Sequence, residues 1–512
     1  MQNFIDWFSG VIWNQYFIYG FLLIGLYFTL ATKFVQVRYL KDMFRLTFER
    51  KSSKSGISSF QAISMSLGSR VGTGNIAGVA TAITLGGPGA VFWMWVMAFM
   101  GSATSFIEVT LAQIFKSKQD GEYRGGTPYY IEKGLGWTKL AIFFALLTIV
   151  AKGFLLMNIQ SNTVALSMQQ AFGIEPAVIG IVLVALLSLI IFGGVKRIAQ
   201  TLELLVPVMV VLFFLVTAVV LAANITLIPE VFRLIISSAV GTDAAFGGLI
   251  GSAVAWGVQR GFFSNAAGSG GETYEGAAAE VSHPAKQGLV QSMSVYIDTW
   301  LICSATAFMI LISGMYNVQP SEGEAVVANV PGIEAGPVNT QLAVDSVLPG
   351  FGSAFLAIAL FFFCFTTMLS YYYKSETGLA FIQQRLGRKF FGDGLLKTGI
   401  LIFVFTGSVV SASTAWTLGD IGLGSMAYIN MLAIVLLAKP ALIALKDYGE
   451  QRKAGKDPVF EPERLGIRNA DFWETERPQS SNPDLGKKRK APEKKRGVAL
   501  NFYDDAGSTV RK

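Results

Sequence analysis

The residues best suited to chemistry lie in two glycine-rich segments within apolar sequence, at residues 68–78 and 256–271. The first reads Gly-Ser-Arg-Val-Gly-Thr-Gly-Asn-Ile-Ala-Gly, and the second reads Trp-Gly-Val-Gln-Arg-Gly-Phe-Phe-Ser-Asn-Ala-Ala-Gly-Ser-Gly-Gly. Glycines that interrupt a membrane helix free backbone groups, which are tolerated only inside protein or beside a cavity. Freed carbonyls suit a dehydrated cation, and the N–H groups of the following half-helix suit a carboxylate. We predict that both segments are broken helices that hold small ligands.

A third segment places two hydroxyl groups in an apolar stretch. Residues 361–370 read Phe-Phe-Phe-Cys-Phe-Thr-Thr-Met-Leu-Ser, so Thr366 and Thr367 are neighbours. Oxygen atoms are the ligands that hard cations prefer, although a threonine in a membrane helix also bonds back to its own backbone. Glycines likewise serve close helix packing. The side-chain oxygens of Thr73 and Asn75 favour a ligand site over packing alone, and with both breaks the threonine pair favours sodium.

Several ionisable side chains also fall near hydrocarbon depth, namely Arg70, Glu108, Lys152, Arg260 and Asp298. An unpaired charge there costs at least a few kcal/mol, so each should be paired or face a wet vestibule. The sequence leaves ion pairs, gates and direct ligand contacts open for these groups. Gates are favoured for Arg70 and Arg260, because both flank the predicted breaks.

The composition is that of a membrane protein. Of 512 residues, 52% are hydrophobic and only 15% are charged, whereas about a quarter of the residues of a soluble domain are charged. Two cysteines and one histidine give no disulfide framework, no metal-binding spacing and no histidine-based catalysis. Paired carboxylates and a phosphate-binding loop are also lacking at membrane depth. We therefore expect neither an enzyme nor a cofactor.

The apolar runs predict an all-α polytopic membrane protein with about eleven transmembrane helices, since roughly 20 apolar residues cross a bilayer. The predicted spans are 14–34, 61–85, 88–115, 138–170, 177–194, 203–223, 245–271, 288–314, 350–374, 396–414 and 420–445. The glycine-rich segments open two successive blocks of five spans. Because five is odd, these blocks run in opposite directions across the membrane. This predicts two inverted five-helix repeats with broken helices and one extra N-terminal helix.

The loop charges predict the orientation. Lysines and arginines concentrate in alternate loops, which include Lys41, Lys116, Arg197 and Lys374, whereas the opposite set holds only Arg233. The positive-inside rule then places the N-terminus outside and the C-terminus in the cytoplasm, in a plasma (inner) membrane.

Composition divides the chain into three parts. Residues 1–59 hold the extra helix and a basic loop, residues 60–445 form the predicted inverted-repeat core, and residues 446–512 are rich in charged residues and proline. This last part is predicted to be a disordered, basic, cytoplasmic tail near anionic lipid headgroups. Nucleic acid is not expected as a partner, because nothing folded accompanies the basic cluster.

The motifs resemble a known family. Residues 71–95 read Val-Gly-Thr-Gly-Asn-Ile-Ala-Gly-Val-Ala-Thr-Ala-Ile-Thr-Leu-Gly-Gly-Pro-Gly-Ala-Val-Phe-Trp-Met-Trp, which looks like the signature of the alanine or glycine:cation symporter family. Residues 125–131, 260–265, 283–290 and 371–377 are similar to further family segments, so the resemblance covers about 60–445. It implies a leucine-transporter-like fold, sodium as the coupling ion, and alanine or glycine as substrate.

The resemblance also implies site residues. The amino acid would lie near Thr73, Gly74 and Asn75 in the first segment and near Trp256, Gly257 and Gln259 in the second. By fold analogy, sodium would be held by the carbonyls of Gly68 and Val71 with the hydroxyls of Thr366 and Thr367. This chain departs from the family at Ala266, where a glutamate is common.

Other functions remain open at this stage. Within transport, the alternatives are a proton-coupled symporter or a carrier of another small zwitterion such as serine or proline. From other classes, a membrane enzyme lacks a catalytic constellation, and a channel fits the two inverted breaks poorly, because these suit alternating access around one central site.

Overall fold

The computed structural model describes residues 2–53, 55–320, 324–387 and 392–476. This part of the chain is predominantly helical, with two short antiparallel hairpins. The helices are α1 Gln2–Ile12, α2 Gln15–Ala31, α3 Val35–Arg38, α4 Leu40–Thr47, α5 Ser59–Arg70, α6 Gly74–Gly86, α7 Gly89–Ile114, α8 Thr127–Leu135, α9 Thr138–Phe172, α10 Pro176–Ile191, α11 Gly194–Ala223, α12 Ile228–Ala239, α13 Ile250–Asn265, α14 Thr273–Ala278, α15 Pro284–Ser313, α16 Pro337–Asp345, α17 Gly352–Leu386, α18 Gly392–Val409, α19 Ala412–Leu436, α20 Ala438–Lys453 and α21 Pro462–Leu465. The hairpins pair β1 Ser117–Gln119 with β2 Glu122–Arg124, and β3 Asn317–Val318 with β4 Val327–Ala328.

Seven of the described helices are long and apolar enough to cross a membrane: α7, α9, α11, α15, α17, α18 and α19. Helices α2, α6 and α10 are apolar but shorter. The polytopic helical fold is therefore confirmed. The count of eleven spans stays a prediction, since it also needs α2, α10 and the two broken helices.

The order of elements repeats along the chain. The pair α5 and α6 precedes the apolar helices α7, α9, α10 and α11, and the pair α13 and α14 precedes α15, α17, α18 and α19. Both α13 and α15 pack on α7, and α9 packs on α17, α18 and α19. The two interrupted helices thus lie in the interior of the bundle, where neighbouring helices can satisfy freed backbone groups.

A capping box fixes where the first interrupted helix begins. The hydroxyl of Ser58 accepts from the Gln61 N–H at 3.1 Å, and the Gln61 side chain accepts from the Ser58 N–H at 3.0 Å. These two bonds satisfy N–H groups that a helix start leaves free. Helix α5 therefore starts at Ser59, and it ends at Arg70 after twelve residues.

We call the end of the bundle at which α2, α7, α10 and α17 finish the basic end, and the opposite one the neutral end. Lys374, which was predicted to lie in a basic loop, is instead a buried residue within α17. The last predicted span, 420–445, also differs from the structure. Helix α19 already ends at Leu436, and α20 follows as a separate helix.

Residues 446–476 are folded, so the prediction of a disordered tail is wrong for this stretch. Phe460 and Trp473 are only 3% and 4% exposed, and the Trp473 Nε1–H donates to the Gln113 carbonyl at 2.8 Å. A few apolar side chains spaced among charged ones bury enough apolar surface to dock this segment on the helical bundle. The average composition of the segment does not show them. Residues 477–512, with the basic cluster, lie outside the described residues.

Candidate functional site

The first glycine-rich segment interrupts its helix as predicted. Helix α5 ends at Arg70, Val71 is extended with φ −74° and ψ 98°, and α6 begins at Gly74. Gly72 has close neighbours on both sides: an added Cβ would lie 2.7 Å from Thr367 Oγ1 and 2.8 Å from Gln160 Oε1. No side chain fits there, so the freed backbone can approach α9 and α17 closely.

The predicted sodium ligands divide into two groups. Thr367 Oγ1 donates to the Gly68 carbonyl at 2.9 Å and lies 3.3 Å from the Val71 carbonyl oxygen. These three oxygens form a compact, fully protein-enclosed set of the kind that suits a small hard cation. Both hydroxyls also donate to the Phe363 carbonyl at 2.9 Å, the bond of a threonine back to its own helix. Thr366 differs in facing away from the break, because its other polar contact is Met209 Sδ at 3.9 Å.

The predicted substrate residues of the first break contact two other helices. The Thr73 hydroxyl donates to Gln160 Oε1 at 3.1 Å and lies 3.1 Å from the Thr163 hydroxyl, both on α9. The Asn75 Nδ2–H donates to Asp298 Oδ1 at 2.7 Å, and Asn75 Oδ1 accepts from the Gly72 N–H at 3.0 Å. The side chain of Asn75 therefore links the break to α15.

The second break begins later than predicted. Helix α13 continues through Asn265, so Trp256, Gly257 and Gln259 lie in regular helix, and the prediction of a break at Trp256 is wrong. Gly257 and Gly261, four residues apart, allow close packing on α7; a Cβ at Gly257 would lie 2.5 Å from the Ala90 carbonyl oxygen. These glycines pack against a neighbouring helix and do not unwind their own.

The glycines that do interrupt this helix are Gly268 and Gly270, with φ values of +94° and +78°. Ala266 precedes them in the left-handed region at φ +50°. The Glu108 carboxylate on α7 accepts from both glycine N–H groups at 3.1 Å and from the Asn430 Nδ2–H at 2.9 Å. Glu108 thus holds the second break, a partnership that the sequence could not assign.

The Asp298 carboxylate joins the two broken helices. Its Oδ2 accepts from the Ser264 hydroxyl of α13 at 2.8 Å and from the Thr299 hydroxyl at 2.8 Å, while Oδ1 accepts from Asn75. Asp298 is fully buried, and none of the described ion pairs includes it. Gly74 is also close to Ser264, since an added Cβ would lie 3.0 Å from the Ser264 Cα.

Charged pairs close both sides of this centre. Toward the neutral end, Arg260 pairs with Asp420 at 2.5 Å, and its guanidinium lies 4.9 Å from the Trp416 ring and 5.4 Å from the Trp256 ring. Gln259 Nε2–H also donates to Asp420 at 3.2 Å. Trp256 and Gln259 therefore contact the Arg260–Asp420 ion pair. Arg260 stays a predicted gate residue.

Toward the basic end, Lys374 pairs with Glu272 at 3.1 Å, and both bond to the Ser69 hydroxyl. Arg70, the other predicted gate, bonds to Ser294, Ser105 and the Gln291 carbonyl. The centre between the breaks is thus closed toward both ends by buried ion pairs.

Comparisons with known proteins identify the family of the chain and several relatives. A sequence model of the sodium:alanine symporter family matches residues 1–462. The chain is 56% identical to a putative sodium/proton-dependent alanine carrier protein of Bacillus subtilis (strain 168), covering 93% of this chain and 98% of that protein. It is 51% identical to a sodium/proton-dependent alanine carrier protein of Bacillus sp. (strain PS3), covering 84% and 97%. It is 42% identical to a probable sodium/glutamine symporter of Bacillus subtilis (strain 168), covering 92% and 96%.

Proposed function

The chain belongs to the sodium:alanine symporter family, and from this premise we propose that it carries a small neutral amino acid, alanine or glycine, into the cell together with sodium. The observation that carries the proposal is the meeting of the two broken helices at Asp298, beside the oxygens of Gly68, Val71 and Thr367. An amino acid bound between half-helices and a cation bound by their freed carbonyls share the same elements, so their binding is coupled.

Sodium is assigned to the three oxygens around Thr367. In the described state its hydroxyl donates to the Gly68 carbonyl, which keeps these oxygens within one coordination sphere. A bound cation would draw the same oxygens together while the hydroxyl proton turns elsewhere. The ion would thereby fasten α5 to α17 and order the first break for the substrate.

The amino acid is assigned to the space beside Thr73, Gly74 and Asn75, with Phe263 and Ser264 as the facing residues of α13. A Cβ added at Gly74 would lie 3.2 Å from the Phe263 ring, so the walls stand close and favour a small side chain. Gly257 takes no part, because it packs on α7. One relative is named a putative sodium/proton-dependent alanine carrier and another a probable sodium/glutamine symporter. Glutamine as a substrate and the proton as a second coupling ion are therefore tested as well.

We assign the basic end to the cytoplasm of the inner membrane, because lysines and arginines concentrate in its connections. Membrane lipid then surrounds the exposed leucines and valines of α10 and α11. Alternating access opens the Arg260–Asp420 side to the outside and the Lys374–Glu272 side to the cytoplasm.

Uptake into liposomes tests this function. Purified protein should accumulate radiolabelled alanine or glycine under an inward sodium gradient, and replacement of sodium by choline should abolish accumulation. Serine, proline and glutamine complete the panel and decide the substrate. Counterflow without a gradient should exchange labelled for unlabelled substrate, which a channel or an enzyme does not do. Absence of sodium-dependent uptake for every member of the panel would contradict the proposal.

The outer gate gives a further expected result. Asp420→Asn removes the partner of a buried guanidinium, and breaking such a pair costs about 3–5 kcal/mol. The closed gate should therefore weaken, and bound alanine should leave at least about tenfold faster, as each 1.4 kcal/mol changes an equilibrium tenfold. Wash-out of radiolabelled alanine from purified protein measures this rate. The control is Glu334→Gln, which changes an exposed residue at the neutral end; equal rates in all three proteins would contradict the gate.

A further inference from the structure

A buried cluster of ionisable side chains lies toward the basic end, beyond the residues assigned to sodium and substrate. It contains Lys152 of α9, Glu272 and Glu275 at α14, and Lys374 of α17, and each is at most 1% exposed. Charges buried at this depth are costly unless they are paired or functional. The four side chains are not equally well paired, and Glu275 is the carboxylate with the fewest hydrogen bonds.

Lys374 and Glu272 are well satisfied. The Lys374 ammonium donates to the Ser69 hydroxyl at 2.9 Å and to Glu272 Oε1 at 3.1 Å. Glu272 Oε2 accepts from the same hydroxyl at 2.8 Å. These three side chains tie α5, α17 and the start of α14 together.

Glu275 and Lys152 have weaker partners, since Glu275 shares the Lys374 ammonium with Glu272 and Lys152 lies against an aromatic ring. Glu275 Oε1 lies 3.3 Å from the Lys374 Nζ, but neither carboxylate oxygen has a hydrogen-bond partner among the described residues. Among the described residues, Lys152 forms no hydrogen bond and no ion pair. Its Nζ lies 4.7 Å from the centre of the Tyr371 ring. An ionised carboxylate without hydrogen bonds at full burial costs several kcal/mol, which a bound proton removes.

The balance of buried charges also indicates Glu275. Nine buried ionisable groups surround the two breaks: Glu108, Glu272, Glu275, Asp298 and Asp420 against Arg70, Lys152, Arg260 and Lys374. The odd count leaves one negative charge unless one carboxyl holds a proton. Glu108 and Asp298 each accept three hydrogen bonds, and Glu272 and Asp420 each accept two, so Glu275 is the carboxyl that keeps its proton at least cost.

We propose that Glu275 is a proton-binding site and that a proton bound there enters the cell together with the amino acid. This rests on the proposed symport function and adds a second coupling ion to it. The proton comes from water on the outer side, forms the O–H bond of the Glu275 carboxylic acid, and returns to water when the basic end opens. Deprotonated Glu275 pairs with the Lys374 ammonium, which lies 3.3 Å away, so protonation controls how firmly α14 is held to α17.

The groups that interact electrostatically with Glu275 are Lys374, Tyr371 and Tyr373 of α17, Glu272 and Tyr274 beside it, and Lys152 of α9. The other elements packed against α14 carry Arg70 on α5, Glu108 on α7, Glu122 and Arg124 on β2, and Lys286 on α15. Tyrosines stay neutral near pH 7, and the other groups already have hydrogen-bond partners except Lys152. Lys374 is the nearest positive charge, but it also holds Glu272, so Lys152 is the nearby positive charge that can be removed without breaking an ion pair among the described residues.

Proton movement with alanine tests the proposal. In liposomes that contain a pH dye and equal sodium on both sides, an inward alanine gradient should acidify the interior for the wild type. Glu275→Gln, which mimics the protonated acid, should lose this acidification to the level of protein-free liposomes while sodium-dependent alanine uptake or binding remains. Glu450→Gln, an exposed change at the basic end, should acidify like the wild type.

A second variant keeps the test decisive if Glu275→Gln does not fold. Lys152→Met removes an unpaired positive charge, so Glu275 should hold its proton more tightly and the pH midpoint of alanine binding should rise by about one unit or more. Acidification by Glu275→Gln equal to the wild type, or an unchanged midpoint in Lys152→Met, would overturn the proposal. Sodium-driven alanine uptake by the wild type without acidification would overturn it too, while leaving the symport function intact. Failure of the symport function itself shows as no uptake at all.

Discussion

Replacing Thr367 by valine should raise the sodium concentration at half-maximal alanine binding by about tenfold, which corresponds to about 1.4 kcal/mol of lost sodium affinity. The hydroxyl of Thr367 is the side-chain oxygen that lies against the Gly68 and Val71 carbonyls. Valine has nearly the same shape but lacks the oxygen. Alanine affinity should fall with it by linkage, because coupling between two ligands is reciprocal, and saturating sodium should restore most of it.

Thr366→Val is the matched control, since Thr366 is adjacent in sequence, equally buried and turned toward Met209. Its sodium midpoint should stay at the wild-type value. Alanine binding to purified protein, measured across a sodium titration with choline keeping ionic strength constant, gives both midpoints. Equal midpoints for the wild type and Thr367→Val, or equal shifts in both variants, would show that sodium is bound elsewhere.

Truncation after Lys453 should strongly destabilise the protein and reduce sodium-dependent uptake. It removes Phe460, Ile467, Phe472 and Trp473, each at most 5% exposed. Burial of one large apolar side chain is worth about 1.5–3 kcal/mol, so the loss amounts to several kcal/mol. It also removes the Asp457 partner of Lys286, a pair at 2.5 Å.

The loss should be concentrated where this segment docks. Trp473 bonds to the Gln113 carbonyl, and the Gln113 side chain donates to the Ala279 carbonyl at 3.0 Å, beside the second broken helix. Truncation after Glu476 is the control, because it keeps every described contact of the segment and should leave stability and uptake near the wild type. Thermal unfolding in detergent and uptake in liposomes measure both; equal behaviour of the two truncations would contradict a structural role for residues 454–476.

The sequence alone predicted the helical membrane fold, the first break and the sodium:alanine family. These features are encoded by neighbouring residues: apolar runs long enough for a bilayer, and glycines beside Thr73 and Asn75 in one short motif. The sequence also identified the buried charges Arg260, Glu108 and Asp298 as functional candidates, because a charge in hydrocarbon is costly whatever its partner.

Only the tertiary structure decided which atoms meet. Neighbouring helical residues point about 100° apart, so packing determined that Thr367, and not Thr366, faces Gly68. It also moved the second break from Trp256 to the glycines at 268 and 270, because glycines serve helix packing and helix breaking alike. The partners of Asp298 and Glu275, and the docking of residues 454–476, depend on contacts between residues far apart in the chain, which local sequence patterns do not encode.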